Sequence, residues 1–543
     1  MICCFFYLVC MNVMNKLLLN TLRDSTTKPD LIFIITDQER ATQNFPDNWE
    51  RENLKTLTFL KDNGFSFERA FCNTCMCSPS RSTLLTGTYP AQHQVTQTLT
   101  TGGNLSDAEQ TLNPQTPNIA RLLEPLGYDC QYRGKWHVSK GNNVGDPYGD
   151  VTAEDIALFG FKGWVGPDAG EDAKPENFGG GYANHDQMYI RQALEYLKEV
   201  KIRRSKGDHQ PYCLVLSLVN PHDVLGYPNS VQYGYLPPQY TQRGIELPST
   251  VNENLIENKK PLAQFQTNIA ADGLLGVLKN DDMKLDYINF YGYLLRQIDA
   301  QIGTVIDELY RPYDGKQLLA HNALVIRTAD HGEMGLSHGG MRQKAFVAYE
   351  EALRVPLVIS NPILFGTDNN KSTYELATLI DVIPTMCDLL GITPPSDCRG
   401  TSLLPIMEEG KSVQEEILFT YDDTKSGSST LPSSVKTCNR IRTIRTKDWK
   451  FSYYFDALGA YEAQYELYDL VNDPTEYTNL AYDPKYFNIR TQLTVKLKQL
   501  EREKLLVNDN TFSSMTWVDT NPVYQDYAYN KLSTIGDKSL NTY

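Results

Sequence analysis

Five stretches of this 543-residue chain hold residues whose types and spacing could do chemistry. In Cys77-Ser78-Pro79-Ser80-Arg81-Ser82-Thr83-Leu84-Leu85-Thr86-Gly87, a sulfur stands just before a helix that Pro79 would start, with Arg81 one turn in. Unpaired N–H groups and the dipole of a helix start favour an anion, so an anionic group could be bound and attacked there. The other stretches are Asp37-Gln38, Gly134-Lys135-Trp136-His137 with Pro221-His222, and Asp330-His331. A plain structural thiol at Cys77 is the simpler alternative. A zinc half-site at Cys72, Cys75 and Cys77 is the other, but it lacks a second Cys/His cluster to complete it.

Buried strands must deliver these groups. Residues 31–35, 213–219 and 323–326 are continuous apolar runs of strand length, as expected where a parallel sheet is covered on both faces. They end in Asp37-Gln38, Pro221-His222 and Asp330-His331, and ligands of open α/β sheets sit at such carboxyl ends. Two carboxylates brought to one sheet edge beside an anion site call for a cation, because a buried carboxylate is costly unless paired or metal-bound. A short strand at 128–133 leads into Gly134-Lys135-Trp136-His137, and 355–359 reads as a further strand.

Helices are expected with Leu54, Leu57 and Leu60 on one face, with Thr116-Pro117 as cap and first turn before Ile119, over 287–310, and over 381–390 up to Gly391. Residues 140–190 and 223–283 read as long irregular excursions that wall the site and set the substrate. Past about 411 the chain changes character, with alternating strands at 440–454 and 465–470 and an amphipathic helix at Ile489, Leu493, Leu497 and Leu500.

The Cys77–Gly87 segment resembles the C-x-P-S-R…T-G signature of type I sulfatases, members of the alkaline phosphatase superfamily. The resemblance implies that Cys77 is oxidised to formylglycine by separate modifying machinery. The hydrated aldehyde then carries two hydroxyls: one attacks sulfur, and the other is deprotonated to expel sulfate. By the same likeness Asp37, Gln38, Asp330 and His331, with modified Cys77, hold one divalent metal. Ca²⁺ comes first, with Mn²⁺ or Mg²⁺ as alternatives because Gln38 stands for an acid and His331 for a common asparagine. Lys135 binds a sulfate oxygen, His137 positions or deprotonates the formylglycine hydroxyl, and His222 contacts the leaving-group oxygen. Lys344, ahead of Tyr349-Glu350, is a further sulfate ligand with Arg342 as its rival, and His338 either lines the pocket or is a loop residue. His93, His185, His209 and His321 are structural or exposed. The likeness runs over about 29–480, where Asp381, the 466–470 strand, Asp473-Pro474 and Asn479-Leu480 carry packing.

The implied architecture is a three-layer α/β/α sandwich around a large mixed, mostly parallel sheet, alkaline-phosphatase-like, with a smaller C-terminal α+β subdomain. The division is an extension at 1–28, a catalytic domain at 29–410 and the small subdomain with its tail at 411–543. The implied reaction is hydrolysis of a small-molecule or glycan sulfate ester. A phosphonate monoester or phosphodiester hydrolase and an unmodified binding protein for sulfated ligands are the alternatives.

A formal charge of −15 argues against nucleic acid as a partner, since it implies no basic face, and motif lysines, arginine and histidines would supply the local positive charge for an anionic substrate. The 11 cysteines make no legible disulfide framework. The apolar run from Ile2 to Met14 is too short to span a bilayer and lacks a basic start and a clear cleavage site, which favours a cytoplasmic over a secreted location. The last thirty-odd residues, with Trp517, Tyr524, Tyr527 and Tyr529, would lie on the surface or on a second subunit of a homo-oligomer.

Overall fold

The computed structural model describes residues 28–505 apart from 102–104, 142–149, 367–370, 429–434 and 458–459. The expected N-terminal extension up to 27 and the aromatic tail fall outside these residues. The strands are β1 (Asp30–Asp37), β2 (Gly64–Phe71), β3 (Thr74–Cys75), β4 (Asp129–Gly134), β5 (Tyr212–Pro221), β6 (Ala323–Ala329), β7 (Arg354–Val355), β8 (Leu357–Ser360), β9 (Lys371–Thr378), β10 (Glu416–Tyr421), β11 (Arg440–Thr446), β12 (Trp449–Phe455) and β13 (Gln464–Asp469). Helices of eight or more residues are α1 (Lys55–Asp62), α2 (Cys77–Thr86), α3 (His185–Ser205), α4 (Leu262–Leu275), α5 (Asp281–Tyr310), α6 (Val382–Leu389) and α7 (Phe487–Leu505).

Eight strands form the large sheet in the order β4-β5-β1-β6-β8-β2, with β7 and β9 also on β2. The four strands β4, β5, β1 and β6 are mutually parallel, and β8 runs antiparallel to both its neighbours. Side chains of β1 alternate between two cores. Leu31, Phe33 and Ile35 pack with Leu84 of α2 and Met386 of α6, while Ile32 and Ile34 pack with Leu57 of α1, Leu197 of α3 and Ile298 of α5. The result is the expected three-layer arrangement around a mixed sheet.

The small sheet has the order β13-β12-β11-β10-β3, antiparallel except for β3 on β10. Its apolar face, with Ile444, Phe451 and Leu467, packs on Leu493, Leu497 and Leu500 of α7. Its edge strand β3 belongs to the segment that runs into Cys77. The expected packing roles of Asp381, Asp473 and Asn479 appear as turn and cap bonds to backbone N–H groups of Thr378, Thr478 and Leu467.

Several elements depart from the sequence reading. Helix α5 starts six residues before 287, because the Asn280 side chain accepts the Met283 N–H and caps it. Asn118, not Thr116, caps the helix at Ile119–Leu123, accepting from Ala120 and Arg121. Helix α3 begins at 185, inside the expected loop region, and α4 lies inside the expected irregular excursion. In α4 the buried face is Ala263, Gln264, Thr267, Ala271 and Leu275, whereas Leu262, Phe265, Ile269 and Leu274 are exposed. That inverts the usual amphipathic stripe and hides the helix from a periodicity reading.

Among the four histidines expected to be inert, His209 and His321 are exposed, His185 is half-buried and His93 is buried. The Nδ1 of His93 accepts the Val95 N–H, which leaves Nε2–H to donate to Thr83 Oγ1 at 3.0 Å. Burial pushes its pKa down to about 3. Because the folded value lies below the unfolded one, this stabilising neutral form is fully present above about pH 6.5 and is lost as pH falls. About 2 kcal/mol should be gone by pH 5. His93→Gln, which keeps a donor and an acceptor, should therefore show a smaller drop in melting temperature between pH 7 and pH 5 than the parent; an equal drop would contradict this account.

Candidate active site

Cys77 is the first residue of α2, so Pro79 stands third rather than first. Both positions lie in the first turn, where an intrahelical N–H bond is not required. Helix α2 is buried along its length and is tied to the sheet edge by Ser80, whose hydroxyl donates to the Asp330 carbonyl at 2.5 Å.

Strand register brings the acids together. Thr36 of β1 pairs with Ala329 of β6, which sets Asp37 beside Asp330, and Asp37 pairs with Pro221 of β5, which brings up His222. One oxygen or nitrogen each from Asp37, Asp330 and His331 and the Cys77 sulfur lie within 4.8 Å of one another, all buried. The Cys77 sulfur is 3.2 Å from His331 Nε2 and 3.7 Å from Asp37 Oδ1. Two carboxylates, an imidazole and the side chain of position 77 suit a divalent cation. Cys72 and Cys75 lie 3.8 Å apart, but no third ligand gathers with them among the described residues, which leaves the zinc half-site incomplete.

Arg81 straddles the two acids. Its Nε donates to Asp330 at 2.9 Å and its Nη2 to Asp37 at 3.1 Å, while Nη1 reaches Ser217 Oγ at 2.6 Å. Lys135 adds a 2.6 Å ion pair to Asp37 and also donates to the Gly170 carbonyl. Burial alone would raise the Asp37 carboxyl, but the Lys135 and Arg81 cations hold it well below the usual carboxylate range, while burial pushes His222 well below the ordinary imidazole range and leaves its ring neutral. Asp330 goes the other way, raised by burial and by the Asp37 charge beside it. Burial and the Asp37 charge also push the Cys77 thiol up to about 11.

Gly134 shows why this turn has its sequence. Its φ is +99°, and a Cβ there would sit 1.8 Å from the Ser217 carbonyl oxygen of the neighbouring strand, so glycine is what lets β4 turn into Lys135. Asp168 then holds the turn by accepting the N–H groups of Trp136 and His137, both at 2.8 Å. His137 does not bond Cys77. Its Nε2 donates to the Leu99 carbonyl at 2.8 Å, and its buried Nδ1 has no partner among the described residues.

Gln38 sits beside the cluster with its amide engaged: Lys344 Nζ donates to its oxygen at 2.6 Å, and its nitrogen donates to Glu333 at 2.5 Å. Lys344 therefore joins the site. Arg342, two residues earlier, points away and donates to Asp272 at 2.9 Å. His338 is buried on Glu253 at 2.7 Å and stacked on Tyr349, not on the Cys77 cluster.

Glu333, Asp168 and Ser217 were not singled out from sequence. Each works by holding another site residue, and the one available signal was that Glu333 follows Asp330-His331-Gly332 by a single step.

The sulfatase family model matches residues 29–392, and the model of the N-sulphoglucosamine sulphohydrolase C-terminal region matches 338–503. Arylsulfatase K of Mus musculus is 23% identical over 486 residues, covering 87% of this chain and 79% of its own. A Delta 4,5-hexuronate-2-O-sulfatase of Bacteroides thetaiotaomicron is 25% identical over 469 residues, covering 84% and 86%. The solved structure of a 2-O GAG sulfatase has a TM-score of 0.65 at 21% identity, covering 88% of this chain and 92% of that one.

The shared hold of Arg81 on Asp37 and Asp330 sets an expectation for stability. Removing one partner of a buried ionic group leaves charge uncompensated and costs about 3–5 kcal/mol. Arg81→Met should lower the melting temperature sharply, and adding Asp330→Asn should restore part of the loss. Independent, additive effects would show that the three do not act as one unit.

Proposed function

The chain belongs to the sulfatase family and is a sulfuric ester hydrolase, and we propose that it cleaves the sulfate ester of a sulfated saccharide through formylglycine made from Cys77. The observation carrying this reading is the convergence of position 77 with Asp37, Asp330 and His331 within 4.8 Å, next to Lys135 and Lys344. Saccharide sulfates are the substrate class suggested by the hexuronate-2-O-sulfatase and GAG sulfatase names of similar proteins.

Conversion of the thiol to an aldehyde by separate modifying machinery would supply, once hydrated, two hydroxyls on one carbon: one to attack sulfur and one whose deprotonation releases sulfate. Asp37, Asp330 and His331, with the Gln38 amide oxygen at their edge, would hold a divalent cation that lowers the pKa of the attacking hydroxyl. Oxygen donors favour Ca²⁺, while the imidazole admits Mn²⁺ and Mg²⁺ remains compatible with the carboxylates.

The chain's own groups do the rest. Arg81 keeps both carboxylates aimed at position 77. Lys135 and Lys344 neutralise the charge that grows on the transferring group, which is worth most in a water-excluded site. His222, beside Asp37, is placed to give a proton to the leaving oxygen. Since His137 Nε2–H is committed to Leu99, its Nδ1 lone pair is the base for the hydroxyl that must lose its proton.

Two results test this. Cys77→Ala should abolish turnover of 4-nitrophenyl sulfate while leaving the melting temperature nearly unchanged, and the Cys77 peptide of the active enzyme should be lighter than its thiol form. An unmodified peptide in an enzyme with full activity, or a faster rate on an aryl phosphonate monoester than on the sulfate, would sink the proposal. Lys135→Ala and His222→Ala should each lower kcat by about 10²–10³. Chelation that strips the divalent ion, verified by elemental analysis, should likewise stop turnover.

A further inference from the structure

The ring of His137 is held through a single backbone residue. Leu99 lies in a segment, 94–101, that forms neither helix nor strand. Its carbonyl takes the His137 Nε2–H at 2.8 Å, and its N–H donates at 3.0 Å to Oγ of Ser78, the residue after the nucleophile. A carbonyl can only accept, so this bond fixes the ring proton on Nε2 and keeps the Nδ1 lone pair available. Leu99 therefore joins the start of α2 to the His137 ring.

The neighbours of Leu99 are pinned as well. The Thr98 N–H donates to Asp423 Oδ2 at 2.7 Å, and the Thr100 N–H to Glu109 Oε2 at 2.8 Å. Three successive N–H groups are thus met by side chains from three separate parts of the chain, where a regular segment would use backbone partners. Asp423 Oδ1 accepts the N–H groups of Lys425 and Ser426, at 3.0 and 2.8 Å, which aims the second oxygen at Thr98. Glu109 is compensated by Lys140, three residues past His137, and by Lys425, two past Asp423, each at 2.8 Å. Both acids are buried, which is costly, and two of them spent on one irregular segment over-determine the place of one carbonyl. The backbone of His137 is held separately, by the Asp168 bond to its N–H, at a left-handed φ of +52°. With that backbone fixed, the Leu99 carbonyl sets how the ring is turned.

We propose that Ser78, Asp423 and Glu109 are positioning residues for the release of sulfate. By fixing the Leu99 carbonyl they hold His137 in the tautomer and orientation in which Nδ1 takes the proton of the second hydroxyl. This rests on the sulfatase reading above and adds to it the residues that aim its base. An imidazole is oriented by the bond its other nitrogen makes, and none of the three needs to touch the reacting atoms. Asp423 lies beyond 411, so the small C-terminal subdomain reaches the base through Thr98. The attack on sulfur does not use the proton that His137 takes, so the two stages of the reaction should separate when the hold is loosened.

The test follows 4-nitrophenyl sulfate in the formylglycine-bearing enzyme, with the modified fraction of each variant counted by peptide mass. In Asp423→Ala and in Ser78→Ala, kcat should fall about ten- to a hundredfold, whereas kcat/KM and the first-turnover release of 4-nitrophenolate should change by less than about twofold. Ser78→Ala, which removes one oxygen, carries the test if Asp423→Ala does not fold. An unchanged kcat would overturn the assignment. So would a kcat/KM that falls as far as kcat, the result expected of a site that has merely loosened. Absence of turnover by the formylglycine-bearing parent would instead overturn the sulfatase reading, and this inference with it.

Discussion

Two carboxylates forced side by side in a dry place govern this molecule. Because β1 and β6 are parallel neighbours in register, Asp37 and Asp330 leave the sheet together, and neither can turn to water. Like charges at such range cannot both be tolerated without cations. The chain answers with Arg81 from α2, which pairs with both acids, and with Lys135 from the turn after β4, which pairs with Asp37. What holds the acids also holds the nucleophile, since Arg81 and Cys77 belong to one helix turn.

The small sheet is part of that arrangement. Strand β3 pairs with β10 through Thr74 and Cys75, and the Asn73 carbonyl accepts the Thr420 N–H, so the residues leading into Cys77 are fixed by the C-terminal half. A second tie is ionic: Glu350, just after Tyr349, meets Arg445 and Lys450 of the small sheet, and Lys450 pairs with Glu476 at 2.5 Å. Those cations outweigh burial and pull the Glu350 carboxyl down to about 2. The packing segments near the C-terminus therefore help to position the nucleophile without touching it.

What could be read in advance follows from this physics. Strands covered on both faces must be apolar throughout, and polar residues at their ends stand out, so Asp37, His222, Asp330 and His331 were legible. Cys77, Arg81 and Lys135 were legible through their motifs. Helix α4 was not, because its large apolar residues face outward and its buried side uses alanine, glutamine and threonine. Glu333 and Asp168 were hidden for another reason. Their work is to accept hydrogen bonds from residues far away in sequence or across a turn, and no local pattern encodes that. Lys344 could be set ahead of its rival Arg342 only through the family likeness, since two cations two residues apart look alike until the backbone between them is known.

That backbone explains how one short segment serves two places. Gln343 has φ +75°, a left-handed conformation that costs a non-glycine residue about 1–2 kcal/mol. Its N–H donates to both oxygens of Glu333, at 3.0 and 3.1 Å, and this forked bond to a carboxylate offsets the strain. The bend sends Lys344 to Gln38 and Arg342 to Asp272. Glu333 also takes the Gln38 amide and the Tyr287 hydroxyl, so the same carboxylate that sets the bend orients the edge of the acid cluster. Loss of Glu333 would thus disturb the cluster and the Arg342–Lys344 bend together, which is the signature of a residue that sets geometry rather than one that meets the substrate.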